Sequence, residues 1–259
     1  MMDISPPFGY RDIKALNRID YVRFTAPGEV PPFVKDTAIV PLSIGEMVSA
    51  AAHYPLVFVQ DSLHDRVGLV AMLGLATGEN LFYTASGWKT DVYQPAYIRR
   101  FPFCIAKVSA GEQADPNLLV CVEKDYVIGE ARDGYRRLLD DDGKATQEWQ
   151  KIETFLREYQ ADLERTNAFC RRLVELKLLD PLTATFTQAD KKSWNVSGFL
   201  GINEGRLAQL GEETVMEWHR NGWLSRAYLH LFSLQRMQRL LHDKLGLSAA
   251  ASEGLQRQD

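Results

Sequence analysis

The sequence predicts an α+β protein: a β-rich N-terminal region of short strands packed with a helical C-terminal region containing a β-hairpin. Three observations point there. Before residue 140 the apolar residues come in short runs bounded by Gly and Pro, as in buried strands. From Gln147 they recur at steps of three and four, the period of a helix packed along one face. Between Leu182 and Ile202 two strand-like runs flank the polar stretch Gln188-Ala-Asp-Lys-Lys192.

Residues 1–36 are rich in Pro and Gly around one expected strand near Tyr21 to Phe24. Ser43-Ile-Gly-Glu46 reads as a capping box, in which a hydroxyl and a carboxylate satisfy the first free N–H groups of a helix. That helix runs to about His53, where Pro55 stops it and biases Tyr54 to an extended backbone. Strands are expected at Leu56 to Val59, Val67 to Leu75, Asn80 to Tyr83, Phe103 to Val108 and Leu118 to Val122. Pro95 suits the first position of a short helix through Arg100.

After Asp140-Asp-Asp-Gly143, the apolar series Trp149, Ile152, Phe155, Leu156, Tyr159, Leu163 and onward to Leu176 predicts a helix roughly 45 Å long. The hairpin of Leu182 to Thr187 and Trp194 to Ile202 follows. Asn203 is a candidate N-cap for a short helix, Glu212 to Arg220 forms another, and a last long helix starts at Trp223. The boundaries expected are 1–140 for the β-rich region, 141–246 for the helical region and 247–259 for a disordered tail, all as one integrated domain.

Composition excludes several classes. The chain has 259 residues, 46% hydrophobic and 25% charged, an ordinary globular balance. Its 30 Lys plus Arg against 34 Asp plus Glu give a net charge of −4 with no basic run, so no nucleic-acid surface is expected. The longest uncharged apolar stretch, Val67 to Gly78, is 12 residues and holds three glycines, short of the about 20 needed for a membrane span. Three cysteines make no disulfide framework, and the start MMDISPPFGYRDIK lacks an apolar signal segment, so the expected compartment is the cytoplasm.

The motifs G-x-S-x-G, H-E-x-x-H, C-x-x-C and the P-loop lysine are all missing. Gly74-Leu-Ala-Thr-Gly78 shares only its glycines with a phosphate loop and reads as a turn. The five histidines show no metal-ligand spacing, so no metal and no cofactor are expected. Candidate recognition residues cluster at strand ends and turns: His53, Tyr54, Glu79, Asn80, Trp88, Tyr97, Arg99 and Arg100. His53 stands at a pocket rim or merely meets the last carbonyls of its helix. Glu79 accepts from a ligand or is a solvated turn acid. Trp88 stacks on a ligand or is buried beneath a loop. Arg99 and Arg100 clamp a carboxylate or phosphate, or pair with Glu79, Asp91 or Asp125. Cys104 and Cys121 lie in expected strands and read as small core residues rather than a redox pair. Trp218 and Trp223, at helix ends around Asn221-Gly222, read as core, or as a partner surface if exposed.

The segments His53-Tyr-Pro-Leu-Val-Phe58, Leu73-Gly-Leu-Ala-Thr-Gly-Glu-Asn-Leu-Phe82 and Gly87-Trp88 resemble the SapC family of bacterial proteins. So do Pro95-Ala-Tyr-Ile-Arg-Arg-Phe-Pro-Phe103, Leu138-Leu-Asp-Asp-Asp-Gly143, Gly198-Phe-Leu-Gly-Ile-Asn203 and Ser233-Leu234, in the same order and over nearly the whole chain. One departure is that a His often follows the Leu-Asn pair in the family, whereas Leu16-Asn17 leads here to Asp20-Tyr21; no role of that His carries over. The resemblance implies no established reaction. It implies a link to surface layers and a setting beside TonB-dependent outer-membrane receptors and flavin-dependent tryptophan halogenase-like proteins, either of which is a possible protein partner. A peptide-transporter permease shares the name but has several membrane spans, which this chain is not expected to have.

The expected function is that of a non-catalytic, soluble accessory protein of a surface-layer or nutrient-uptake system, binding a small ligand, a peptide or a partner protein. In that reading Arg99 or Arg100 anchors an anionic group, with Trp88 and Tyr97 as flat walls. Two alternatives stand beside it. One is an enzyme acting on peptides or amino acids, with His53 as general base oriented by Glu79. The other is a self-assembling surface-layer component.

Overall fold

The structure, a computed structural model, describes residues 6–26, 29–61, 66–107, 118–187 and 193–246. The expected disordered tail, the hairpin turn at 188–192, Val108, His64 and Pro27-Gly28 lie outside the described residues.

The chain runs through β1 (Ile13–Ala15), β2 (Tyr21–Val22), β3 (Ile39–Pro41), α1 (Met47–Ala51), β4 (Leu56–Asp61) and β5 (Arg66–Met72). The hairpin of β6 (Tyr83–Thr84) and β7 (Gly87–Trp88) is next. Then come α2 (Ala96–Arg99), β8 (Phe103–Lys107), β9 (Leu118–Glu123), β10 (Val127–Ile128) and β11 (Arg136–Arg137). The long helix α3 (Gln147–Glu175) leads to β12 (Leu179–Thr187) and β13 (Ser193–Ile202). Four helices finish the chain: α4 (Glu204–Ala208), α5 (Glu212–Asn221), α6 (Trp223–Ser233) and α7 (Arg236–Lys244). This is the α+β class, with a β-hairpin inside a helical C-terminal region. The elements gather into two compact units, one of Met1–Val34 with Ala96–Ala161 and one of Lys35–Pro95 with Asp162–Asp259.

In the first unit, two antiparallel three-stranded sheets have the orders β1-β9-β8 and β10-β2-β11. Val22, Phe103, Val122, Val127 and Leu138 from these strands and turns bury against Trp149 and Leu156, the apolar stripe on the first half of α3. A second cluster holds Tyr10, Ile13, Phe101, Cys104 and Cys121. Cys104 lies in register with Cys121 across β8 and β9; both are free and buried. The hydrogen bond to Cys121 and burial push the Cys104 thiol up, so it stays protonated. That suits core packing.

In the second unit, one antiparallel sheet has the order β12-β13-β4-β5-β3. Its central strand β4 begins with Leu56, Val57 and Phe58, all fully buried, so side chains pointing to either face are covered. That explains an apolar run without alternation. The capping box forms at Ser43–Glu46, where the Ser43 N–H and hydroxyl donate to the Glu46 carboxylate at 2.9 and 2.8 Å. The next N–H groups are capped by the second half of α3: Ile44 donates to Thr166 Oγ1 and Gly45 to Asp162 Oδ2, each at 2.8 Å. Trp218 is fully buried and is core; it meets Phe169 at 5.9 Å and, edge-on at 6.0 Å, the half-buried Trp223.

A histidine finishes the join between β4 and β13. The two strands register directly at Leu200 and Phe58. At Ile202 and Leu56, the next pair along, the imidazole of His230 on α6 stands between them. Ile202 N–H donates to Nε2 at 3.0 Å, so Nδ1 carries the proton and donates to the Leu56 carbonyl at 2.8 Å. The Leu56 N–H donates in turn to Ser233 Oγ at 3.0 Å, and Ser233 donates to the His230 carbonyl at 2.6 Å. Burial holds His230 neutral, lowering its pKa to about 4.

Two elements differ from expectation. The last helix is two, α6 and α7, because the turn between them closes by three-residue steps from Leu234 to Leu231 and from Gln235 to Phe232, next to the Ser233 that α6 gives to β4. The strand expected at Asn80 to Tyr83 is mostly turn. Asn80 Oδ1 accepts from Phe82 N–H at 2.9 Å, competing with a strand ladder, and pairing starts only at Tyr83.

Candidate functional site

Of the eight residues singled out by the sequence, His53, Tyr54, Glu79, Asn80 and Trp88 belong to the second unit, and Tyr97, Arg99 and Arg100 to the first.

In the first unit, α2 turns Arg99 outward and Arg100 inward. The Arg99 guanidinium lies over the Phe155 ring at 5.2 Å. Arg100 is 7% exposed and stacks on Tyr97 at 4.0 Å, with Tyr159 and Tyr10 at 5.4 and 5.6 Å. No carboxylate pairs with it among the described residues, and its Nε makes no hydrogen bond there; the tyrosine π-faces offset its charge. Tyr97 is buried, donates from its hydroxyl to the Phe8 carbonyl at 2.6 Å, and has its pKa raised by that burial.

In the second unit, Tyr54, Phe82 and Trp88 build an aromatic ledge. Tyr54 is fully buried, hydrogen-bonds the Tyr93 carbonyl, and meets Phe82 edge-on at 4.7 Å. Phe82 stacks on Trp88 at 6.3 Å, and Trp88 Nε1 donates to the Val92 carbonyl at 3.3 Å. Trp88 is therefore buried beneath its loop. Glu79 is half-buried: it accepts from Leu75 N–H at 2.8 Å and pairs with Lys244 at 3.1 Å. The bond in which Glu79 would orient His53 is not formed.

Above the ledge is a cavity of about 480 Å³. His53, just past the end of α1, lines it with Ala52, Phe82 and Val92. Its charged lining is Lys89 and Asp91 from the segment after β7, and Arg236, Arg239 and Asp243 from α7. The α7 residues stand three and four apart, which puts them on one helix face. Lys89 pairs with Asp243 at 3.3 Å and lies over the Phe82 ring at 5.5 Å. Arg236, Arg239 and Asp91 have no ion pair among the described residues. The cavity thus presents two uncommitted guanidiniums, one uncommitted carboxylate, an imidazole and an apolar wall, a donor set for a charged organic ligand. A larger cavity of about 550 Å³ is lined by Gln60, Arg66, Asn167 and Arg171; Arg66 there pairs with Asp61 at 3.0 Å, and none of the eight residues faces it.

The family model SapC matches residues 22–240, most of the chain. The chain belongs to the SapC family. No curated protein and no solved structure matches it. No helix among the described residues of this SapC-family protein is long and apolar enough to cross a membrane.

Sequence reasoning found His53 and missed the charges around it. The apolar residues of the last helix mark one face, while Arg236, Arg239 and Asp243 repeat at helical spacing on another. That spacing was a readable signal. The approach of the segment holding Lys89 and Asp91 to α7, more than 140 residues later, left none.

Proposed function

We propose that this SapC-family chain is a non-catalytic binding protein that takes a small ligand or peptide in the cleft at His53, as an accessory of a bacterial surface-layer or outer-membrane nutrient-uptake system. One observation carries the binding reading: Arg236 and Arg239 line a cavity of ligand size, floored by Phe82, with no carboxylate among the described residues committed to either. Guanidiniums so placed favour an anionic group on the occupant. Glu79 spends its carboxylate on Leu75 and Lys244, which supports binding over base catalysis at His53. The surface-layer or uptake setting comes from the family resemblance.

Native mass spectrometry of the chain, purified gently from its own host, tests the reading. A small-molecule or peptide adduct lost on denaturation is the expected result. The bare chain mass, or a stoichiometric second polypeptide in place of a small ligand, contradicts binding in the cleft.

A further inference from the structure

Taking the cleft at His53 as a binding site, we infer that it is built for a zwitterion, an amino acid or short peptide with free termini, rather than for a simple anion. The charges decide this. Lys89 and Asp243 satisfy each other at 3.3 Å, as do Lys244 and Glu79 at 3.1 Å. What remains facing the cavity is mixed in sign: the guanidiniums of Arg236 and Arg239, and the carboxylate of Asp91.

A carboxylate or phosphate alone would answer the arginines but bring a second negative charge into the cleft and leave the Asp91 carboxylate unanswered. A ligand with both an ammonium and a carboxylate answers all three. Arg236 and Arg239, one turn apart on α7, take the carboxylate; Asp91 takes the ammonium. Ala52 and Val92, with the edge of the largely covered Phe82, give the cavity an apolar wall for a side chain. His53 adds ring nitrogens that donate or accept according to tautomer. A cavity of about 480 Å³ lies within the range that holds small organic ligands.

Isothermal titration of the full chain at low ionic strength tests this with leucine, leucyl-leucine, N-acetyl-leucine, leucinamide and inorganic phosphate. At least one of the two zwitterions binds saturably, and blocking either end weakens that ligand tenfold or more. Asp91→Asn brings the zwitterion down to the level of its acetylated form without weakening the acetylated form. Arg236→Gln weakens every ligand with a free carboxylate. If N-acetyl-leucine or phosphate binds as tightly as the zwitterions, or Asp91→Asn leaves the zwitterion unaffected, the inference is wrong and the cleft is an anion site, which leaves the binding reading standing. Absence of saturable binding by every probe at millimolar concentration also overturns the inference; the broader reading then rests on the native mass spectrum, an independent measurement.

Discussion

His230→Ala should be among the most damaging single changes in the second unit, and part of the damage should depend on pH in a calculable way. At neutral pH the imidazole answers two buried backbone groups, the Ile202 N–H at 3.0 Å and the Leu56 carbonyl at 2.8 Å. Orphaning a buried polar group costs about 1–3 kcal/mol. With the cavity left by the ring added, the variant should lose about 3–5 kcal/mol. For a chain of this size that lowers the melting temperature by about 10 °C.

The pH dependence follows from the neutral state of the ring. The pKa of His230 falls from an ordinary 6.5 to about 4 in the fold. Between those values the unfolded chain binds a proton that the folded one refuses, so acid favours unfolding. The contribution is fully present above pH 6.5 and is lost as pH falls to about 4, amounting to about 3 kcal/mol. Urea denaturation of wild type and His230→Gln at steps from pH 7.5 to 4.5 isolates it, since Gln lacks the titrating group while other acids and histidines are common to both. The wild type should lose more stability than the variant across that range. Parallel loss in the two proteins would refute a neutral, bridging His230.

Four further changes separate structural from exposed residues. Arg100→Ala removes the buried cation from its tyrosines and should cost at least about 2 kcal/mol by chemical denaturation, whereas Arg99→Ala, on an exposed side chain, should stay within about 0.5 kcal/mol. Gly74→Ala would put a Cβ 2.3 Å from the Glu79 carbonyl oxygen, a backbone atom; hydrogen exchange across residues 74–82 should rise, with about 1–3 kcal/mol lost. Asn203 Oδ1 accepts from Arg206 N–H at 2.8 Å at the start of α4, so Asn203→Ala should cost about 1 kcal/mol in a thermal melt.

Local chemistry was the legible part of this sequence. The Ser43–Glu46 capping box, the Asn203 cap, the long helix and the hairpin each depend on neighbours in the chain, and each forms. Strands of two or three residues, such as β3, β10 and β11, are too short for any period to show. Long-range partners were illegible for a different reason. His230 carries no mark in the sequence that it will stand between Leu56 and Ile202, yet that join draws together three of the segments that resemble the SapC family: 53–58, 198–203 and 233–234. Part of the resemblance therefore falls on residues that hold the sheet together. The candidate site divides the same way. His53 could be read from a helix end before Pro55, while its charged neighbours come from a segment and a helix far apart in the chain.

The most direct test of the central claim compares native mass spectra of the wild type and an Arg236→Gln, Arg239→Gln double variant prepared identically from the protein's own host. Both side chains are at least partly solvent-exposed on α7, so the variant should fold, and a matching thermal melt checks it. The account predicts a small-molecule or peptide adduct on the wild type that is lost from the folded variant. An adduct retained equally by both, or none on the wild type, would contradict ligand binding in the cleft at His53.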